Sequence, residues 1–439
     1  MSCPEGVSQW EREVSTALSV LTPAQARVLA AWSFGMMVTQ SCGLTTVAVF
    51  LAQVRGRSYG AQRQQMREWC YDAADKRGRK RQEVDVRVCF APLLRWVLAS
   101  WPRGETRLAL ALDATTLGQR FTILAISVVY RGCAIPVAWV VVPATAKGKW
   151  QPHWEALLKS LDGVVPSDWL VLVLADRGLY ARWLYQAIQR PGWHPFLRIN
   201  QQGQYRPVGR TRVRPLATVV RRGETGWSGA VECFASSSCR LTCTLVAQWT
   251  EPHTDPWLIL TDLPADVAQA AWYGMRAWIE CGFKDCKRGG WGWHQTKMTD
   301  PARASRLWLV MAVATLAVVR AGGAAESGLE ALTWDGVPDL APVRPRCTRP
   351  RLLSCFRRGV VLILAALVRG RRLPRGRFLP DPWPTALPLP PAPAVPLGRL
   401  MSPRIHPAPC TAVVPDLPLR GRGRGLLAPI CTCDPRSPR

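Results

Sequence analysis

With 439 residues and 48% hydrophobic content, the chain can bury a large core, which excludes a globally disordered protein. It contains no apolar run of the roughly 18 residues that a membrane-spanning helix needs, and no signal-peptide pattern at its N-terminus. The net charge of +27 predicts a polyanionic partner, with nucleic acid as the first candidate and an anionic membrane surface as the second.

The first hundred residues are predicted to be mainly helical. Residues 8–55 contain a helix start at Thr22–Pro23 and a break at Ser41–Gly43. A basic run at residues 75–82 is typical of a solvated loop, but it also suits contact with phosphates. We therefore predict a helical N-terminal region over residues 1–104.

From residue 107 the pattern changes to apolar, β-rich runs. Three such runs come first, and a fourth and a fifth are each preceded by a helical segment. The order β-β-β-α-β-α-β predicts a ribonuclease-H-like sheet over residues 105–197. In that topology the first and fourth strands lie side by side, because helical crossovers return the chain to parallel neighbours.

Two aspartates end these apolar runs, Asp113 after the first and Asp176 after the fourth. A carboxylate there is costly unless it binds something, and a divalent ion relieves the repulsion between two of them. Alternatively, Asp113 is a cap or turn residue before Ala114, and Asp176 is a turn residue before Arg177. With Glu280 as a third carboxylate, the set suits two Mg²⁺ ions about 4 Å apart acting on a phosphodiester, with Mn²⁺ as a substitute.

Residues 198–262 separate the second aspartate from the remaining carboxylate and are rich in short β-like runs. We predict that they form an inserted β subdomain. The segment begins with a basic, arginine-rich stretch that suits the DNA backbone or, alternatively, forms a solvated hairpin.

Residues 263–322 complete the predicted core and contain a helix with four functional candidates. Tyr273, Arg276, Glu280 and Lys287 are spaced so that they share one helix face. Glu280 needs a nearby cation, and Arg276 or Lys287 supplies one while also suiting an anionic phosphodiester. The alternative is a solvated helix with ion pairs between its own side chains.

The pattern Tyr-x2-Arg-x3-Glu-x6-Lys resembles the YREK motif of IS4-type, Tn5-like DDE transposases. The segments ALDATTL, LADRGLYA and WLILTDLP resemble that family's two aspartate strands and the strand before the motif helix, so the resemblance spans about residues 105–320. It implies that Asp113, Asp176 and Glu280 are the catalytic metal-binding triad. It implies phosphate contacts for Tyr273, Arg276 and Lys287. Trp257 occupies the position at which a family member stacks a flipped base, although a tryptophan at the start of a strand is usually a core residue.

The C-terminal residues 323–439 are predicted to be a basic, proline- and arginine-rich extension that is partly disordered, with one helix-forming stretch at residues 351–372. The fifteen cysteines lack zinc spacing and are interpreted as free thiols in a reducing cytoplasm. The resemblance implies a bacterial protein associated with the nucleoid.

Together these patterns predict an α/β protein that catalyses cut-and-paste DNA transposition. Its partners would be the double-stranded DNA of the element's ends and of the target, and it would act as a homodimer on DNA, away from membranes. Two alternatives remain: a metal-dependent nuclease of the same fold without strand transfer, and a DNA-binding protein that has lost catalysis.

Overall fold

The computed structural model describes residues 3–76, 81–146, 148–224, 226–234, 240–251, 253–326, 353–374, 376–379 and 381–385. The first hundred residues contain five α-helices in this described part: α1 (Cys3–Ala17), α2 (Pro23–Thr39), α3 (Leu44–Arg55), α4 (Tyr59–Cys70) and α5 (Phe90–Ala99).

Helix α2 begins at the predicted start, and its cap explains why. The Thr22 hydroxyl accepts from the Gln25 backbone N–H, the Gln25 side chain accepts from the Thr22 N–H, and Pro23 occupies the first turn. This capping box satisfies donors that the first helical turn leaves free. The chain then breaks before Leu44, as the sequence predicts.

The described residues form one ten-stranded mixed sheet with the strand order β3-β2-β1-β4-β5-β10-β9-β8-β6-β7. Its strands are β1 (Arg107–Leu117), β2 (Phe121–Tyr130), β3 (Cys133–Pro143), β4 (Leu170–Ala175), β5 (His194–Ile199), β6 (Gln204–Pro207), β7 (Arg214–Pro215), β8 (Trp227–Cys233), β9 (Leu241–Gln248) and β10 (Trp257–Thr261). Helices α6 (Gln151–Ser160) and α7 (Arg182–Gln189) make the two crossovers. Up to β5, the predicted order is confirmed.

The pairing of β1 with β4 sets the position of the later site. The two strands run parallel, with Leu112 opposite Ala175. Strand β1 also pairs with β2 along its whole outer half, and every residue of β2 is buried. The predicted contact between the first and fourth strands is therefore confirmed, within a mixed sheet.

Residues 198–262, predicted as an inserted β subdomain, continue this sheet outward. Strand β10 pairs with β5 on one side and with β9 on the other, and β8, β6 and β7 follow. The strands described in this segment thus share their hydrogen bonding with the core. Whether the segment is a separate subdomain stays a prediction.

Helix α9 (Pro301–Glu326) is the central helix of the core and joins the N-terminal helices to the sheet. Arg306, 5% exposed, donates to the carbonyls of Val84 and Cys70 and to the Asp72 carboxylate. Since a buried guanidinium needs all its donors satisfied, these contacts fix the N-terminal region against α9.

One helix among the described residues does meet the length and composition of a membrane span, so the expectation that no segment would do so is wrong. It is Pro301–Ala325, and almost all of its apolar window is buried inside the protein. The pair Pro23–Thr39 and Leu44–Arg55 meets the same criterion only together and bends by 100° between its helices. Counting uninterrupted apolar letters misses these segments because single polar residues interrupt them.

Part of the predicted C-terminal extension belongs to the core. Helix α10 (Cys355–Val368) packs against α9, and the chain after it buries Leu373 and Phe378. The Gln9 side chain donates to the Leu373 carbonyl at 3.1 Å, and the Tyr130 hydroxyl donates to the Leu379 carbonyl at 3.1 Å. The tail predicted beyond residue 385 lies outside the described residues.

Two glycines allow α9 and α10 to approach closely. A Cβ at Gly359 would overlap the Val318 carbonyl oxygen, and one at Gly322 would overlap the Cys355 carbonyl oxygen. Both obstacles are backbone atoms, which cannot rotate away as a flexible side chain can. Any larger residue must therefore separate the helices.

We expect Gly359→Ala to lower the free energy of unfolding by about 2–4 kcal/mol, because the added methyl overlaps backbone on α9. Guanidinium denaturation followed by circular dichroism measures this. The control is Gly60→Ala on α4, where an added Cβ meets nothing within 4 Å. That change should be neutral or stabilise by about 0.5 kcal/mol. Equal effects of the two changes would contradict close α9–α10 packing.

Candidate active site

Asp113 and Asp176 meet where β1 and β4 lie side by side. Since Leu112 pairs with Ala175, the residues that follow on the two strands are neighbours. The sequence predicts that both aspartates end their strands. This holds for Asp176, but β1 runs past Asp113 to Leu117, because its outer half still pairs with β2. Asp113 therefore lies one residue beyond the pairing with β4, in a part of β1 that is still paired with β2.

Each aspartate uses one carboxylate oxygen locally and the other across the fold. Asp113 Oδ1 accepts from the Ala114 N–H at 2.7 Å, and Asp176 Oδ1 accepts from the Gly178 N–H at 2.8 Å. These are the contacts of the cap and turn interpretation. The Oδ2 atoms of both aspartates accept from the same nitrogen, Arg276 Nη2, at 2.9 and 3.1 Å.

Arg276 also brings the third predicted carboxylate into the site. Its Nη1 pairs with Glu280 one helical turn later. The structure therefore unites Asp113, Asp176 and Glu280 around one guanidinium, which is itself only 12% exposed. The intrahelical pair expected of a solvated helix is present, but it forms one side of a cluster that spans three elements.

The segment that carries Arg276 and Glu280 is not the single α-helix that the sequence predicts. It is a 3₁₀-helix at Ala270–Ala277, α-helix α8 at Trp278–Lys284 and a π-helical turn at Asp285–Gly289. Helix α8 packs tightly on β3, since a Cβ at Gly282 would lie 2.8 Å from the Ala134 methyl. Because the winding changes twice within this segment, the side-chain directions of the four residues do not follow from the 100° rotation per residue of one regular α-helix.

The charge in this cluster is incompletely balanced. Three carboxylates contact one guanidinium, which leaves two negative charges when all are ionised. Burial raises the pKa of Asp113 above its usual value, and the charges of Asp176 and Glu280 add to this, although Arg276 acts in the opposite direction. Such a site favours an additional cation.

Lys287 lies on the β1 side of the cluster. Its Nζ donates to Thr115 Oγ1 at 2.7 Å. Thr115 is two residues beyond Asp113 on the strand, and alternate residues of a strand share a face. Lys287 is therefore on the same sheet face as Asp113, and partial burial lowers its pKa.

A cleft of about 260 Å³ opens beside the carboxylates, and it is lined by three of the predicted DNA-contacting residues, Trp257, Tyr273 and Arg276. Trp257 and Tyr273 pack edge to face with ring centroids 5.1 Å apart, and they are 7% and 5% exposed. Burial raises the pKa of Tyr273 to about 12. Trp257 is therefore a buried core residue that also lines the cleft.

Sequence analysis did not single out Arg198 as a site residue, but it belongs to the same cleft. Its guanidinium lies 5.8 Å from the Trp257 ring centroid and 5.9 Å from that of Tyr273. Arg177 lines the cleft as well and pairs with Asp255 at 3.2 Å. Arg198 lies on β5, the neighbour of β4, so its place near the site follows from strand order.

Within the described ranges, no group of three His, Cys, Asp or Glu side chains is arranged to hold a metal ion. The carboxylates instead face Arg276, which provides the positive charge among them. Their oxygen chemistry and uncompensated charge nevertheless fit a hard divalent cation such as Mg²⁺ or Mn²⁺. Asp113, Asp176 and Glu280 are the residues that would hold it.

Residues 105–317 match a family model described as a transposase DDE domain, a region just under half of the chain that contains all three carboxylates. The match supports a DDE transposase. Among solved structures, a cryo-EM piggyBac transposase synaptic complex with hairpin DNA is 13% identical, with 71% of each chain covered and a TM-score of 0.33. A TM-score of that size does not define a common fold. No curated protein matches the chain.

We expect Arg276→Gln to lower the free energy of unfolding in metal-free buffer by about 2 kcal/mol. The change leaves three neighbouring carboxylates without their guanidinium, and the value allows for the partial exposure of Asp176 and Glu280. Urea denaturation at pH 7.5 in EDTA measures it. Arg177→Gln is the control, since its pair with Asp255 is exposed and should contribute less than about 1 kcal/mol. An Arg276 variant as stable as the control would show that the cluster does not need this cation.

A pH effect is expected from Asp285, in the π-helical turn, because burial raises its pKa to about 7. In the unfolded chain this carboxyl titrates near pH 4. Between these two pH values the folded protein binds more protons than the unfolded chain, so the free energy of unfolding falls as the pH rises. Above pH 7 the full cost of burying the ionised Asp285 carboxylate is present. Asp285→Asn should therefore add about 1–2 kcal/mol at pH 8 and nothing at pH 4.

Denaturation of wild type and Asp285→Asn across pH 4–8 tests this sign. Asp266→Asn, at an exposed aspartate, is the matched control. Its free energy of unfolding should change with pH in the same way as that of wild type. A loss of stability in Asp285→Asn at pH 8 would mean that the ionised carboxylate is favourably paired, and the expected sign would be wrong.

Proposed function

We propose that this protein is a DNA transposase of the IS4 type that catalyses cut-and-paste transposition with Asp113, Asp176 and Glu280 as its catalytic triad. The observation that carries the proposal is the convergence of these carboxylates, from β1, β4 and α8, on one guanidinium. The convergence lies inside the region that matches a transposase DDE domain.

The reaction begins with hydrolysis of a phosphodiester at each end of the element. The freed 3′-hydroxyl then attacks DNA, first the opposite strand to give a hairpin and later the target. Mg²⁺ or Mn²⁺ held by the triad, in the two-ion arrangement, would activate the attacking oxygen and stabilise the leaving one. The remaining contributions come from side chains around the triad.

Arg276 can bind two kinds of anion, the carboxylates of the site and the phosphate groups of DNA. Its donors are directed at the three carboxylates, but a guanidinium fits phosphate oxygens equally well. When a phosphodiester enters, Arg276 donates to it and helps to balance charge that grows in the transition state. Lys287, beside Asp113 through Thr115, provides a second cation from the other side.

The cleft next to the triad holds the nucleotide that flanks the cut. Its aromatic wall offers the Trp257 and Tyr273 rings for stacking, and Arg198 adds a cation above them. Both rings are almost fully buried, with Trp257 7% and Tyr273 5% exposed, so stacking on either ring requires the cleft to open further. Following the resemblance to the IS4-type family, we assign base stacking to Trp257 and phosphate contact to Tyr273, Arg276 and Lys287.

The remaining organisation follows from the same proposal. Residues 1–104 grip DNA of the element's ends, residues 198–262 act as the inserted subdomain, and the basic residues of the 323–439 extension add nonspecific affinity for DNA. Both ends must be joined during transposition, so the active form is a homodimer on DNA. We place it on the bacterial nucleoid.

We expect Glu280→Gln to abolish metal-dependent cleavage of duplex DNA that carries the flanking terminal repeats, by about 10³-fold or more, because one of three carboxylate ligands is lost. Strand cleavage is measured on end-labelled DNA with EDTA, Mg²⁺ or Mn²⁺. Glu155→Gln on α6 is the matched control and should cut like wild type; its carboxylate accepts only from Gln151 among the hydrogen bonds described.

The products distinguish the alternatives. Hairpin or joined products identify a transposase, whereas nicks alone identify a nuclease without strand transfer. Wild-type protein that binds this DNA but never cuts it with either ion would refute the catalytic proposal and leave a DNA-binding protein.

A further inference from the structure

A second cavity, of about 630 Å³, lies away from the carboxylates and between the N-terminal helices and the segment that follows the π-helical turn. Helices α3 and α4 form one side of it. The other side is the chain from Gly292 to Met298 together with the start of α9. We call it the α3–α4 cavity.

The α3–α4 cavity is lined by cations and by no acidic side chain among the described residues. Its four cationic residues are Arg63, Arg67, Lys297 and Arg303. Arg303 pairs with Asp75 at 2.9 Å, and Arg67 donates to the Tyr71 hydroxyl at 2.8 Å. Within the described ranges, no ion pair joins Arg63, Arg67 or Lys297 to a carboxylate. Three positive charges therefore face one cavity without internal compensation.

The cavity walls are fixed in place by hydrogen bonds between distant segments. The Cys42 N–H donates to the Trp291 carbonyl at 2.7 Å, which joins the α2–α3 break to the turn after the active-site helix. Arg120, in the β1–β2 turn, donates to the carbonyls of Thr296 and Met298. The segment that carries Lys297 is thus anchored to the same strand pair that carries Asp113.

Tyr71 organises the cations on the other wall. The Arg303 guanidinium lies 4.5 Å from the centre of its ring, and the Arg67 guanidinium lies 5.8 Å from it. Arg303 already has the Asp75 carboxylate beside it, so Arg67 is the one of these two guanidinium groups with no carboxylate partner among the described residues. The Thr45 and Thr46 side chains, exposed in the first turn of α3, add hydroxyl donors to the cavity.

We propose that the α3–α4 cavity binds backbone phosphates of duplex DNA, at a place separate from the carboxylate cluster. This inference rests on the proposed function and extends it to a second contact. Unpaired arginines and a lysine with nearby hydroxyls are the donor set that phosphodiesters attract. Because the wall residues Thr296 and Met298 are tied to β1 through Arg120, DNA held here has a fixed offset from Asp113.

The test compares two triple variants in DNA binding without metal. Arg63→Gln, Arg67→Gln and Lys297→Gln together empty the cavity of its uncompensated charge. The matched control is Arg95→Gln, Lys159→Gln and Arg190→Gln, which removes three exposed cations that do not line the cavity. Fluorescence anisotropy with a labelled 40-base-pair duplex in EDTA gives the affinity at several salt concentrations, and thermal unfolding confirms that both variants are folded.

We expect the cavity variant to reduce the slope of log K against log salt by about 2–3, since each lost phosphate contact is worth about 0.9, and to bind at least about tenfold more weakly at 0.1 M salt. The control should change the slope by less than about 1. If the triple variant unfolds, the single change Lys297→Gln on the surface segment should reduce the slope by about 1.

A cavity variant with the slope of the control would overturn the inference and leave the proposed function intact. Wild-type protein that fails to bind DNA at any salt concentration would overturn both. Protein that shows the expected slope change but never cuts DNA would keep the phosphate site and lose the catalytic proposal.

Discussion

The arrangement of this protein depends on one guanidinium placed among three carboxylates. Arg276 is the point at which β1, β4 and α8 are joined electrostatically, through Asp113, Asp176 and Glu280. Without a cation there, the parallel pairing of β1 with β4 would hold two neighbouring carboxylates against their mutual repulsion. The same uncompensated negative charge attracts a divalent ion. The interaction that stabilises the resting fold is therefore the one that any substrate or metal must rearrange.

The rest of the fold serves to keep that point rigid. Strand β1 stays paired with β2 through and beyond Asp113, which limits the freedom of that residue, while Asp176 is held by its own turn through Gly178. The helix that carries Glu280 packs closely on β3 at Gly282, and its winding loosens immediately afterwards, where Lys287 turns toward Thr115. The segment that contains α8 thus contacts two strands. It packs on β3 at Gly282, and it reaches β1 through Arg276 and Lys287.

Much of this site follows from sequence. The apolar runs before Asp113 and Asp176, and the β-β-β-α-β order, were enough to predict that the two aspartates meet. The contact between Arg276 and Glu280 follows from their spacing of four residues, which places both on the same side of a helix. What sequence does not provide is the winding of residues 270–289, because tertiary packing, such as the close contact of Gly282 with Ala134, can override local helix propensity. The packing of the Arg198 guanidinium near the Trp257 ring and the burial of Phe378 also depend on contacts between segments far apart in the chain.

The packing of α10 on α9 has a consequence for how the protein is made. Helix α9 is apolar and almost fully enclosed, yet the helix that covers its glycine-bearing side is synthesised later, and Phe378 later still. While the ribosome adds these residues, a nascent chain with a complete sheet still exposes the side of α9 that α10 later covers. Products that stop before residue 355 retain that exposed face permanently and become targets for aggregation or for chaperones. The region that matches the transposase DDE domain, residues 105–317, thus lacks part of the packing around α9, even though every carboxylate of the cluster lies within it.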